Sequence, residues 1–368
     1  MKPLLGISLM HEPEFLEASL PLFLKNEIDV VEWSFDTILK EKARPEWLHQ
    51  LLKEYSENNR LIGHGVRYSV FDAHFTKRQR SWLSDLKKEI KKYKYNHITE
   101  HFGFMSSSNF HEGAPLPVPL NKSTLAIGID RLKSIQDATL LPVGIENLAL
   151  SFCMNDVKKQ GEFLEKLIKP LNGFIILDVH NIFCQSENFE TDLLEIIRLY
   201  PLKKVREVHI SGGSWKNSVY AKDLKKIRRD THDEKVPNEI FEILPAVLAI
   251  CPNVEYIIYE RLGNTLANEK EQIQFRKDYL RLRSIVNNVS EKKQLKHKQL
   301  SFASKTTEPL EDDALFAQQK LILKILRGSA DPFDALRKLK TERLKDWNVK
   351  SWKPSMVETA IELIKKWG

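Results

Sequence analysis

Cysteine is scarce in this sequence: of 368 residues only Cys153, Cys184 and Cys251 carry thiols. They form no C-x-x-C pair, and an odd set cannot be closed into a disulfide framework, so a stapled secreted scaffold is excluded and a cytoplasmic location is expected. Long hydrophobic runs are missing too. No window approaches the roughly 20 apolar residues of a membrane span, and MKPLLGISLMHEPEF lacks the apolar core and small-residue cleavage site of a signal peptide. No membrane association is expected. Charge of one sign is absent from most of the chain. Residues 286–368 hold 17 Lys+Arg against 11 Asp+Glu, which leaves 40 against 39 in residues 1–285 out of an overall net charge of +7. A nearly neutral first part argues against nucleic acid as a partner, because phosphate contacts call for basic charge.

What is present is ordinary globular composition, 42% hydrophobic and 29% charged. Eight short runs rich in β-branched residues recur: LLGISL (4–9), VVEWSF (30–35), LIGHGV (61–66), HITEHF (97–102), PVGIEN (142–147), FIILDV (174–179), VREVHI (205–210) and VEYIIY (254–259). Stretches with helical spacing lie between them, such as PEWLHQLLKEYSENN, long enough to return the chain to a parallel neighbour. The pattern predicts an α/β fold, a (β/α)8 TIM barrel. The loops after strands four and seven are the longest, and HEGAPLPVPLN in the former is rich in proline. Residues 1–285 read as the barrel, 286–313 as a polar, lysine-rich linker, and 314–368 as a small α-helical C-terminal module of three amphipathic helices.

Six of the eight strands end in a side chain able to bind metal: His64, His101, Glu146, Asp178, His209 and Glu260. Side chains at the carboxyl ends of barrel strands point into the mouth, so these residues converge from distant parts of the chain. Asp230 and His232 on the loop after strand seven, and Asn181 three residues beyond Asp178, complete a mixed nitrogen and oxygen set sufficient for two or three ions. Carboxylates crowded at one mouth need cations to neutralise them. His11, His49, His74, His97, His111 and His297 lack such placement and are expected at the surface or in structural roles.

The segments GHG, TEHFGF, IENLAL, LDVHNIF, EVHISGG, DTH and YER resemble, in order over about residues 4–262, the multinuclear non-haem iron-dependent oxidases related to the methanobactin-biosynthesis oxidase, which have a xylose-isomerase-like TIM barrel. The resemblance implies two or three iron ions held at His64, His101, Glu146, Asp178, Asn181, His209, Asp230, His232 and Glu260. It also implies dioxygen as co-substrate and oxidation of a ribosomal precursor peptide, often at cysteine and often shown to the enzyme by a peptide-presenting partner protein. Three places depart from the usual pattern: LDVHN puts His180 where most members carry asparagine, GVRYS puts Arg67 after the strand-three histidine, and DTHDE replaces DTHG. The helices of the tail lie outside the family's core.

Imidazole and carboxylate donors suit iron, yet zinc or manganese accepts the same ligands. The alternatives are therefore an endonuclease IV-like phosphodiesterase acting on DNA, a sugar isomerase, and a non-enzymatic barrel that binds peptide or metal. Glu32, Glu100 and Asn147 are candidates to orient ligands. Arg67 and His180 are candidates to shape the substrate pocket or support the centre. Cys184 reads as a buried thiol, and Trp215 as a substrate wall or a packing residue.

Overall fold

The structure, a computed structural model, describes residues 2–37, 44–105, 115–221, 225–289 and 308–367. His111, His297, the start of HEGAPLPVPLN and residues 290–307 of the expected linker lie outside the described residues. Eight parallel strands close into a barrel in the order β1-β10-β7-β6-β5-β4-β3-β2. They are β1 (Leu4–Leu9), β2 (Val30–Trp33), β3 (Leu61–Gly65), β4 (Ile98–His101), β5 (Val143–Glu146), β6 (Phe174–Asp178), β7 (Val205–Ile210) and β10 (Tyr256–Tyr259). The intervening pair β8 (Trp215–Asn217) and β9 (Lys226–Arg228) is an antiparallel hairpin in the loop after β7, which the sequence pattern did not suggest. Around the barrel run α1 (Pro13–Leu24), α2 (Glu46–Glu57), α3 (Lys77–Lys92), α4 (Lys122–Thr139), α5 (Met154–Ile168), α6 (Val179–Phe189), α7 (Leu193–Ile197), α8 (Asn238–Ile250) and α9 (Glu269–Asn287).

Alternation sets what fills the barrel. Because side chains of a strand change face at every residue, Val30 and Glu32, Ile62 and His64, Ile258 and Glu260 share inward faces. Val30, Ile62, Tyr256 and Ile258 form an apolar plug inside the barrel, and the residue two positions later on three of these strands is polar and buried. Register then sets candidate ligands side by side, His101 opposite Glu146 and Asp178 opposite His209. Tight spots need glycine: a Cβ on Gly65, next to His64, would lie 2.6 Å from Glu100 Oε1.

The C-terminal helices are α10 (Asp313–Arg327), α11 (Pro332–Lys340) and α12 (Pro354–Trp367). The three pack on one another and, along one side, on the barrel's mouth-side loops. Gln319 accepts from Ala73 N and donates to Phe71 O after β3. Trp347 meets Phe104 after β4 edge-on, and Trp352 stacks on Phe152 after β5 with ring centroids 3.8 Å apart. Lys216 and Ser218 of the hairpin bond Glu358 of α12. A module of about 55 residues is marginal alone, and borrowing the barrel's rim resolves that. Helix α11 stops at Lys340, so the sequence through 347 that repeats the amphipathic pattern turns away and delivers Trp347 to Phe104.

Trp352 is 4% exposed, and its indole N–H donates to Trp347 O at 2.7 Å. Replacing it with alanine removes the stack and leaves a cavity, which costs about 3–5 kcal/mol for a buried tryptophan. In Trp352→Ala, limited proteolysis should release residues 313–367 while the barrel stays protected. Unchanged protection of α10–α12 would show that the stack does not hold the module.

Candidate metal centre

Strand β6 runs into helix α6 without a loop, because Asp178 ends the strand and caps the helix: its Oδ1 accepts Asn181 N–H at 2.6 Å. The other carboxylate oxygen, Oδ2, is buried with no hydrogen-bond partner. Asn147 grips the same residue from β5's end, donating to Asp178 O at 3.1 Å and accepting from Asp178 N at 2.8 Å. Asn181 donates from Nδ2 to Glu146 Oε1 and Asn147 O, at 3.0 and 2.9 Å, which leaves its Oδ1 free.

The histidines are held from behind. Thr99 gives its hydroxyl hydrogen to Gly63 O and so accepts from His64 Nδ1 at 2.7 Å. Gly65 O accepts from His101 Nδ1 at 3.2 Å. Glu207 Oε1 accepts from His209 Nε2 at 3.0 Å. Each acceptor fixes the hydrogen on the far nitrogen and turns the near nitrogen's lone pair into the mouth. There His64 Nε2 and His101 Nε2 each lie 3.3 Å from Glu146 Oε2, and His209 Nδ1 lies 3.3 Å from Glu260 Oε1. Lone pairs facing carboxylate oxygens repel unless a proton or a cation sits between them.

Four groups with ligand atoms within 4.8 Å of one another result: His64, His101 and Glu146; Glu32, Glu207 and His209; Glu146, Asp178 and His209; Asp178, His232 and Glu260. Glu146, Asp178 and His209 each belong to two of them, the last through the deeper pair Glu32 and Glu207. Buried atoms without partners, Glu146 Oε2, Asp178 Oδ2, Asn181 Oδ1, His209 Nδ1 and Glu260 Oε2, are donors a metal would use, so the residues present fit metal ions. Asp230 stands 2.8 Å from His232 Nε2. His232 adopts φ +50°, in the left-handed region that residues with a side chain enter at a cost of about 1–3 kcal/mol.

Electrostatics reflects the crowding. Burial, and then the charges of Glu146, Asp230 and Glu260, push the Asp178 carboxyl well above its ordinary range. Burial opposes charge on Glu260 too, but His209 and His232 outweigh it and hold it down at about 2. His209 rises well above the imidazole range despite burial, because Glu260 and Glu32 face it.

The remaining sequence candidates fall near the centre in different ways. Glu32 is wholly buried, 3.1 Å from His209 Nε2, and neither oxygen has a hydrogen bond. Glu100 binds backbone rather than a ligand ring, accepting from Tyr68 N and His101 N, and burial with Asp36 nearby pushes it up to about 8. Arg67 reaches Asp36 O at 3.4 Å. His180 is buried against Asp230, and Cys184 Sγ lies 4.0 Å from its ring nitrogens with burial raising the thiol. Trp215 is 40% exposed.

Sequence reasoning missed Glu207, His97 and Arg228. His97, expected at the surface or in a structural role, takes the structural one, fully buried and bonded to Glu207 Oε2 at 2.7 Å, a contact the sequence did not indicate. The available signal was periodicity, since Glu207 precedes His209 by two on one strand and so faces inward. Arg228 gave none, because it depends on the hairpin.

Residues 6–266 match the family described as RiPP precursor modification enzyme MbnB/TglH/ChrH, where RiPP denotes a ribosomally made, post-translationally modified peptide. A UPF0276 protein of Caulobacter vibrioides is 25% identical over 244 residues, covering 66% of this chain and 80% of its own length. One of Acinetobacter baylyi is 22% identical over 253 residues, 68% and 82% of the two chains. Among solved structures, the IOLI protein with a bound zinc atom superposes at TM-score 0.49 and 15% identity, over 78% of this chain and 98% of that one. Endonuclease IV from Thermus thermophilus gives 0.45 at 11%, over 77% and 100%. These structural likenesses concern barrel architecture.

In the metal-free protein a proton fills the gap at His64. Burial opposes its charge, but Glu32 and then Glu146 outweigh burial and push it up to about 9 from 6.5. A raised imidazole stabilises fully below pH 6.5, and that contribution fades as pH climbs through 9, a loss of about 3 kcal/mol at 1.36 kcal/mol per pKa unit. Urea unfolding with chelator should show it between pH 6 and 9.5, and protein loaded with metal should show much less, since the ion replaces the proton. A flat metal-free profile would refute this account of His64.

Proposed function

The chain belongs to the MbnB/TglH/ChrH family of RiPP precursor modification enzymes, and we propose that it is a multinuclear iron-dependent oxidase that uses dioxygen to modify a ribosomal precursor peptide at cysteine. The observation that carries this reading is the row of three of the four ligand groups that Glu146 and Asp178 join. Shared carboxylates hold neighbouring ions close, and a donor set of imidazole and carboxylate without thiolate favours iron over a structural zinc or an iron–sulfur cluster. The nine ligands of the reading are His64, His101, Glu146, Asp178, Asn181, His209, Asp230, His232 and Glu260. Bound iron would supply the redox capacity toward dioxygen and a positive charge that lowers the pKa of a substrate thiol.

The chain's own residues do the rest. Thr99, Gly65 O and Glu207 keep the ring hydrogens of His64, His101 and His209 away from the ions. Asn147 clamps Asp178. Trp215 and the loops braced by α10–α12 form the rim past which a peptide enters, and a presenting partner would bind there. No helix among the described residues is long and apolar enough to cross a membrane, in keeping with a cytoplasmic enzyme.

The test is anaerobic loading with Fe2+, metal counting, and oxygen uptake with a short cysteine-containing peptide encoded beside the gene. Asp178→Ala and His209→Ala should each lower bound iron and bring uptake to background while circular dichroism stays native, because core stability resides in the apolar strands. Full uptake by either variant, or equal turnover with zinc alone, would end the oxidase reading. Cleavage of abasic DNA without peptide turnover would favour the phosphodiesterase alternative.

A further inference from the structure

Both ring nitrogens of His180 are engaged, and their partners determine where its hydrogen sits. The residue lies in the first turn of α6 and is completely buried. Nε2 lies 3.2 Å from Arg228 Nη2, and Nδ1 lies 3.2 Å from Asp230 Oδ1. A guanidinium has hydrogens to give and no lone pair to offer, so Nε2 must be the acceptor. The ring then carries one hydrogen, on Nδ1, and gives it to Asp230. Neither nitrogen is left to ligate a metal.

The donor at the head of this relay is fixed in place. The Arg228 guanidinium carbon sits 5.3 Å from the Phe183 ring centroid and 5.5 Å from that of Trp215. Asn188 of α6 clamps its backbone, accepting from Arg228 N at 2.8 Å and donating to Arg228 O at 2.9 Å. The space for the imidazole depends on a residue without a side chain, since a Cβ on Gly213 would lie 2.8 Å from His180 Cε1. At the far end, Asp230 Oδ1 also faces His232 Nε2 at 2.8 Å.

We propose that His180 is a positioning residue, and that the relay from Arg228 through His180 holds the Asp230 carboxylate toward His232 and the ion position that His232 shares with Asp178 and Glu260. The inference rests on the metal reading above. It assigns the relay to one ion: the position between His64, His101 and Glu146 lies outside its reach.

Two amides of different length separate the contacts. His180→Gln places its amide near the position of Nε2, keeping the link to Arg228 and losing the donor to Asp230. His180→Asn places its amide near the position of Nδ1, keeping the donor and losing Arg228. Full-length protein is titrated anaerobically with Fe2+ against a competing chelator, and metal-free melting is recorded in parallel. In His180→Gln one ion should bind about 10–100-fold more weakly, the usual effect of removing an outer-shell partner, with the other ions and the melting temperature unchanged. His180→Asn should stay near wild type. Arg228→Met, which frees the ring's hydrogen to move to Nε2, should weaken the same ion and carries the test if His180→Gln does not fold. Wild-type affinity for every ion in His180→Gln or, where that variant does not fold, in Arg228→Met would overturn the proposal, as would equal losses in the Gln and Asn variants. A wild-type protein that binds no Fe2+ would overturn the metal reading and this inference together.

Discussion

Four carboxylates, Glu146, Asp178, Asp230 and Glu260, meet at the mouth of a barrel whose walls exclude water, and most of the local structure answers the repulsion among them. A buried, uncompensated charge costs several kcal/mol, and a folded domain has about 5–15 kcal/mol in total, so the group cannot stand ionised without positive charge. The histidines supply part of it. Their far nitrogens are tied to Thr99, Gly65 O and Glu207, which aims each ring at the carboxylates but removes its freedom to choose a tautomer. Protons or cations are what can satisfy Glu146 Oε2, Asp178 Oδ2 and Glu260 Oε2 together.

The barrel was legible in the sequence because each strand announced itself by composition and six of the eight ended in a side chain able to bind metal. Period-two alternation links Ile62 to His64 and Ile258 to Glu260 before any coordinates are known, and the closed parallel order follows from eight strands separated by helices. What escaped notice depends on contacts between segments far apart in the chain. Arg228 matters only because β8 and β9 pair and place it over Phe183 and Trp215. His97 bonds Glu207 across 110 residues. Glu100 looked like a partner for a ligand ring, whereas it satisfies two backbone amides at the turn beyond β3 and at the end of β4.

The charge of the tail has a different distribution from the one its overall balance suggests. Residues 308–368 carry 12 Lys+Arg against 10 Asp+Glu, so most of the basic excess falls in 290–307. Several acidic residues in the helical part are committed to the barrel or to caps: Glu358 and Glu362 hold Lys216, while Asp312 caps α10 and accepts from Ser123. The basic excess of the tail therefore lies in the lysine-rich segment before α10 and not in the helices.

The helices have a mechanical role, because the hairpin they hold also carries the supports of the centre. From α12, Glu358 and Glu362 bind Lys216 on β8, β8 pairs with β9, and β9 presents Arg228. Two residues beyond Arg228 the same strand exit delivers Asp230, and His232 follows in its left-handed conformation. Loops at a barrel mouth are ordinarily the most mobile part of the fold, whereas the proposed ligation by Asp230 and His232 requires them to keep their place to within about 0.5 Å. A loop of this length gains that precision from pairing with itself, from the Asn188 clamp on α6 and from the ion pairs to α12. The C-terminal helices thus brace the segment that carries Asp230 and His232, which lies outside the barrel strands.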